Sequence, residues 1–442
     1  MGLAMSKPSG PAAALVLALL AAATPAGAQD ADPQSKQWWR GSGDTVLAPF
    51  GDWNAYFKNG LRIDNESLNT RLKLNARVFG DAGNVGLNNA LQTAFPQQDG
   101  WDALITQAQV TLFGWVFDKG TFKLQLEFAE AFQVKDSWFQ FNPLPYIGSI
   151  TLGNMKEPYS LDALISSGNT TFMTDALPTL AFAPGRNIGV MANNTALDEH
   201  LTWAIGGFWN TGSYSDFAGA KDAFSNANGF HVTGRITYLP TYEDGGRELT
   251  HLGLSVSLQS FNNPTATRAV AETSLNNDYF ADTGLFQPDR ASLVAVEFAK
   301  VDGPWSLQSE LTWSKFQAPS LGNPLLTGFY VYGSYILSGE HRLYDTSEGV
   351  FYGVIPKQDF SIANGTWGAW ELALRLSTLN LNSQTLAGGR QRDVTAGLNW
   401  YLNKNTRVMF NYVHALVNGR ANPPVVDGGR ANIVQARLQV AF

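Results

Sequence analysis

The sequence predicts an all-β fold, a transmembrane antiparallel β-barrel of about 16 strands. Three observations carry this reading. Apolar and polar residues alternate with period two from near Leu68 to the last residue, Phe442. The alternating segments commonly reach the 9–11 residues, roughly, that cross a bilayer at a tilt. Tight turns also alternate along the chain with long connections, as they do when one rim of a barrel is short and the other carries loops.

Of the 442 residues 44% are hydrophobic, yet only one stretch is continuously apolar, and it lies at the start. Lys7 precedes an apolar run from Ala12 to Ala23, and Ala26-Gly27-Ala28 reads as an A-x-A cleavage site. The run is shorter than the roughly 20 residues of a membrane helix. Residues 1–28 are therefore expected to be a secretory signal cut before Gln29. Residues 29–65 are polar, rich in Gly, Asp and Trp, and lack long periodicity; they read as a periplasmic lead-in. Residues 66–442 form the expected barrel domain.

Within that domain Phe122, Leu124, Leu126 and Phe128 interleave with Lys123, Gln125 and Glu127. Successive strand side chains point to opposite faces, so one face is apolar and the other charged. The same texture recurs at Leu252–Gln259, Trp370–Ser377, Asp393–Leu402 and Val434–Phe442. Strand starts are expected near Leu68, Leu104, Thr121, Val134, Ser149, Asn187, Leu201, Phe230, His251, Ser292, Trp305, Thr327, Gly368, Asp393, Thr406 and Ile433. Asp118-Lys119-Gly120, Asp302-Gly303-Pro304 and Asn403-Lys404-Asn405 read as tight turns. A soluble sandwich also alternates; strand length, turn asymmetry and the aromatics favour the barrel. Trp115, Trp209, Tyr238, Trp305, Trp313, Trp400 and Tyr412 lie near strand ends, where interfacial girdles require them. One span resists: Gly339 to Trp367 is long but falls, by parity, on the short-turn rim. Either the count is off by a pair there, or the segment packs against or into the barrel.

The chain has no cysteine, so an exported protein of this size must be held by its own hydrogen-bonded framework, which a closed barrel supplies. A formal charge of −7 excludes a generally basic nucleic-acid binder, though not a locally basic lumen. Zincin, nucleophile-elbow, phosphate-loop and Ca²⁺-loop patterns are absent from the sequence. The five histidines, His200, His231, His251, His341 and His414, show no ligand spacing. No catalytic activity, cofactor or metal is expected.

Longer motifs narrow the reading. Ile150-Thr-Leu-Gly-Asn-Met-Lys156-Glu157-Pro158, followed by Thr171-Phe-Met, Ala176-Leu-Pro178 and Ala181-Phe-Ala-Pro-Gly-Arg-Asn187, resembles the phosphate-selective porin O and P family in residue choice and order. Trp367–Arg375, Gly389–Asn403 and Arg407–Tyr412 resemble it too. The resemblance implies a 16-stranded homotrimeric porin in the outer membrane, surrounded by lipid. It further implies an infolded loop at the constriction and basic residues that guide small anions such as phosphate.

On that reading Lys156 and Arg186 flank the constriction, with Glu157, Pro158, Pro184 and Gly185 shaping the loop that leaves and rejoins the wall. Glu157 is expected to pair with a wall arginine. Arg71, Lys73, Arg77, Lys123, Arg235, Arg375 and Arg437 are polar-face basic residues that would raise the local anion concentration. Two features pull the other way. Thr106-Gln107-Ala108-Gln109 stands where many relatives carry an arginine-rich run, and Glu127, Glu310 and Glu371 are expected to face the lumen and offset nearby cations. A general porin without phosphate selectivity therefore stays open, as does a structural or adhesive barrel.

Overall fold

The computed structural model describes residues 45–442 except 51, 58, 59, 98, 118, 130, 145, 213–226, 276 and 277. The expected signal and the first part of the lead-in lie outside the described residues. Sixteen strands form the wall. They are β1 (Thr70–Leu87), β2 (Gly100–Val116), β3 (Gly120–Glu127), β4 (Gln133–Leu144), β5 (Gly148–Lys156), β6 (Arg186–Ala196), β7 (Leu201–Trp209) and β8 (Phe230–Glu243). The circuit continues with β9 (Glu248–Ser260), β10 (Arg290–Asp302), β11 (Trp305–Gln317), β12 (Leu325–Ile336), β13 (Ala369–Ser383), β14 (Leu386–Asn403), β15 (Thr406–Arg420) and β16 (Gly429–Ala441). Each pairs antiparallel with the next, and β16 returns to β1 from Ala431 opposite Leu87 to Ala441 opposite Arg77. The sheet is closed. Closure leaves no free sheet edge, so the wall strands pair with one another without water, which a hydrocarbon surround demands.

All 16 expected strands are present. The largest offset is at β14, expected at Asp393 and beginning at Leu386, because Gly388 and Gly389 interrupt the alternation there. Upstream, Thr45–Phe50, Trp53–Phe57 and Leu61–Asn65 make a small meander whose last strand pairs with the start of β1, Leu61 opposite Leu74. These strands are too short for a period to show in the sequence.

The outward residues are apolar and exposed, among them Leu252, Leu254 and Leu258 on β9 and Leu372, Leu374 and Leu376 on β13. The inward residues mix polar side chains, as along β11, with apolar ones such as Ala291, Leu293 and Ala295 on β10. From β8 to β16 they are also buried, as in the strict alternation of β10 and β11, so something covers them from inside. Three insertions do. Residues 157–185 carry two short helices, α2 (Leu161–Leu164) and α3 (Leu177–Phe182), after α1 (Asn89–Ala94) of the first long connection. Residues 261–289 pack Ala269, Ala281 and Phe286 against Leu177 and Phe182 of α3. Residues 337–368 settle the open question of parity: the count stands, and this segment enters the barrel from the short-turn rim. Its Tyr344, Val350 and Phe351 join a core with Leu161 and Ile165 of the infolded loop, and Arg342 donates to Gln308 at 2.8 Å while lying over the Phe351 ring at 4.1 Å. No helix among the described residues is long and apolar enough to cross a membrane.

Candidate functional site

A chain segment inside a lumen must satisfy its own backbone polar groups. Residues 157–185 do so with wall side chains. Five donors reach loop carbonyls: Arg407 to Thr170 O (2.7 Å), Asn399 to Thr171 O (2.8 Å), Arg437 to Met173 O (2.8 Å), Arg375 to Thr174 O (2.9 Å) and Gln439 to Gly168 O (2.9 Å). Glu310 on β11 accepts the N–H groups of Leu161 and Asp162 at 3.2 and 2.8 Å. The two loop ends meet where the Glu157 N–H donates to Gly185 O at 3.0 Å, and Gly185 adopts φ +75°, a conformation that favours glycine. Pro158 and Pro184 stand at the ends of β5 and β6, where pairing stops.

Because the insertions fill the β8–β16 side, open space is left along β1–β7. It forms a cavity of about 1310 Å³. Its lining holds nine Lys and Arg residues against five Asp and Glu.

In this lining Asp136 of β4 bridges two cations, Lys123 Nζ at 2.6 Å and Arg186 Nε at 2.7 Å. Lys123 and Arg186 keep 28% and 20% of their side chains exposed, so both can still reach a solute. Facing them, Arg77 donates to Ser166 Oγ of the loop at 3.1 Å and also to Gln109. Ser167 reaches Gln107 at 3.1 Å. The glutamines that stand where relatives have arginines therefore help seat the loop tip. Lys156 donates to Ala163 O at 2.5 Å and Ile165 O at 3.3 Å, which occupies two of its three donors. Asp175, on the loop, is pushed up to about 7 by burial and by Asp162, against the pull of Lys156, Arg375 and Arg437.

The expected site residues divide into three groups. Lys73, Arg77, Lys123, Lys156 and Arg186 line the cavity together. Arg235 lines it with only 4% of its side chain exposed, paired to Glu297 at 2.7 Å and donating to Gly349 O at 2.9 Å, so it clamps the 337–368 insertion. Arg375, 2% exposed, pairs with Glu272 at 2.7 Å and holds the loop instead of facing solute. Arg437 pairs with Asp81 at 2.7 Å in the same way. Arg71 is exposed on the short-turn end of β1, outside the cavity lining.

Three expectations are corrected. Glu157 meets no arginine: its carboxylate accepts from Asn187 Nδ2 at 2.7 Å and from Thr233, and lies 2.8 Å from His231 Nδ1. Asn187 of β6 and His231 and Thr233 of β8 occupy its oxygens instead. Glu127 lines the cavity and offsets Arg77 as expected, while its carboxylate also accepts the N–H groups of Ala108, Phe128 and Ala129. Glu310 and Glu371 are instead bound up, the latter by Asn399 and Tyr401. Trp115 is not a girdle residue; it lines the cavity, with Phe113 and Trp138 beside it. Asp136 and Lys135 were missed because they sit in the register shift between β3 and β4, which breaks the alternation there.

A family model described as phosphate-selective porin O and P matches residues 93–442. The chain belongs to the phosphate-selective porin O and P family. It is a protein of the outer membrane. Porin O of Pseudomonas aeruginosa is 28% identical to this family member over 162 residues, 34% of the chain and 35% of that protein. An uncharacterized protein of Caulobacter vibrioides is 26% identical over 339 residues. That match spans 73% of this chain and 64% of the relative, so the chain covers less than two thirds of the length of either curated relative. Among solved structures, the anion-selective porin from Comamonas acidovorans superposes with a TM-score of 0.54 at 13% identity, covering 84% of this chain and all of that one. OmpT of Vibrio cholerae in its trimer form gives 0.51 at 10% identity, covering 84% and 99%. These likenesses concern the fold.

Proposed function

We propose that this barrel is a passive, anion-preferring diffusion pore for small hydrophilic solutes, with phosphate and similar oxyanions as its cargo. One observation carries the reading: the chain is acidic overall, yet the surface of its open lumen is basic, nine cations against five acids. Such an excess raises the anion concentration inside a narrow aqueous path. Lys123, Lys156, Arg77 and Arg186 would make charge-assisted hydrogen bonds to the passing oxyanion, and an arginine fork suits phosphate oxygens. Arg235 and Arg375 would act one step back, holding the insertions that narrow the path. The family's description and the anion selectivity of the Comamonas porin agree with this reading. The protein would conduct and not catalyse. Cleavage before Gln29 and assembly as a homotrimer belong to the same proposal; N-terminal sequencing of the mature protein and unheated gel mobility test them.

Substituting Lys156 and Arg186 together by Gln is expected to lower the anion-to-cation permeability ratio by about half or more. Reversal potentials across a salt gradient measure this, and unchanged potentials would overturn the assignment. A second reading, a general porin of the same family, is favoured by Asp136, which offsets Lys123 and Arg186, and by Gln107 and Gln109. Block of chloride current by low concentrations of phosphate supports the first reading, and indifference to phosphate supports the second. An adhesive barrel would show no ion conductance at all.

A further inference from the structure

One lumen-facing row runs around the open wall. Lys73, Phe113, Lys123, Trp138, Gly153 and Gly189 stand opposite one another in β1 to β6. Cation and ring alternate, and two glycines follow. The next row toward the short-turn rim holds Trp115, Thr121, Gln140 and Thr151 in the same order of strands. Opposed residues in neighbouring strands have Cβ atoms about 5 Å apart, so each row is a continuous strip of contact surface.

The rings are out of place for a path that handles only hydrated inorganic ions. The Phe113 centroid lies 4.5 Å from Trp115 and 6.1 Å from Trp138, both near perpendicular. Trp115 is 45% exposed. Inside the lumen these rings have neither lipid to anchor in nor a core to fill. Apolar surface left in water is unfavourable, and a solute with a flat apolar face relieves it. Beside Trp138 the wall is bare. A Cβ on Gly153, which has φ +131°, would fall 2.7 Å from Trp138 Cα and 2.2 Å from Ser137 O. Glycine is required there by the close approach of the β4 backbone, so the row continues past the ring without a side chain at this position. Just beyond, amides and hydroxyls form a rail: Thr121 donates to Gln140 at 3.1 Å, Gln140 to Thr151 at 3.0 Å, and Asn142 to Thr121 at 3.1 Å. Thr121 and Thr151 are themselves buried, so the half-buried Gln140 and Asn142 present the rail, and their amides keep hydrogen-bonding capacity for a passing hydroxyl group.

We propose that this strip is a binding subsite for a sugar ring bearing a phosphate or carboxylate. The proposal rests on the anion-pore reading and names its organic cargo. The anionic group is met by Lys123 and Lys73, the C–H face of the ring by Trp115, Phe113 and Trp138, and the hydroxyls by the rail. An inorganic oxyanion uses only the first of these. A neutral sugar uses only the other two.

The test uses the purified full-length protein in planar bilayers, with chloride current blocked by glucose 6-phosphate, inorganic phosphate, glucose or benzoate. Glucose 6-phosphate is expected to block at a concentration about tenfold or more below phosphate and glucose. Trp115→Ala, with Trp138→Ala as a second variant, should raise the glucose 6-phosphate concentration required while the phosphate concentration moves little. Equal block by glucose 6-phosphate and phosphate in the wild-type pore, or an equal shift of both in Trp115→Ala, overturns the subsite. Benzoate blocking as well as glucose 6-phosphate overturns the sugar assignment, because the rail would then be idle. If glucose blocks as well as its phosphate, the anion reading itself fails; reversal potentials measured on the same membranes separate that failure from failure of the subsite.

Discussion

Asp175 shows how one half-buried residue can set the charge of an aqueous path. It sits on the infolded loop, near Lys156, with burial and Asp162 holding its carboxyl up to about 7. A carboxylic acid is neutral below its pKa and charged above it, so acidification through this range removes one negative charge from the lining that Lys156 and Arg186 share. Anion preference should therefore rise as pH falls from 8 to 6, by roughly twofold for one charge partly screened by salt. Asp175→Asn should hold the higher preference at both values and flatten the pH response. Reversal potentials at the two pH values check this. The sequence showed the cations of this site and hid their partners. Lys156 and Arg186 stand out beside their prolines, and the strand parity of Lys123 is plain. Asp175 and Asp162 lie in a loop without a period, and only the tertiary fold brings them near Lys156. Glu157 is legible as a loop anchor, but its partners come from β6 and β8, many residues downstream.

Among the elements, the seam between β1 and β16 is the closure on which the wall depends. Arg437 makes two 2.7 Å hydrogen bonds to Asp81 across that seam, and its third arm holds Met173 O of the infolded loop. Both partners are buried. Removing one member leaves a charge with no water to solvate it. Arg437→Met is therefore expected to cost about 3–5 kcal/mol in folding stability, whereas replacing Asp81 and Arg437 together by Leu should recover much of that loss. Urea unfolding in detergent micelles measures both. The strands themselves were legible because the two faces of this wall meet lipid and a polar interior, which writes a strong period of two. Where glycines break that period, as at Gly388 and Gly389, the boundary slipped. Where strands are only five or six residues long, as in the Thr45–Asn65 meander, no period could be read.

At the scale of the molecule, a 16-stranded wall encloses more space than the open path occupies. Barrels of this size ordinarily leave an aqueous channel, and here three insertions fill the β8–β16 side and press the channel against β1–β7. The 337–368 insertion is the one whose removal is most informative, because it enters from the rim where the other connections are tight turns. Its anchors are Arg342 on Gln308, Tyr344 on His251 at 2.7 Å and Gly349 O on Arg235. Arg235 would keep its pair with Glu297 when the segment is gone, so the wall loses a cover without gaining an isolated charge. Replacing Glu340–Thr366 by a short Gly-containing turn should therefore leave the barrel folded and raise single-channel conductance, as water fills the space this insertion occupied beside the two that remain. Its anion preference should fall at the same time, since ions would gain a route away from Lys123 and Arg186. Conductance equal to that of the intact protein would mean that the insertion does not bound the conducting path.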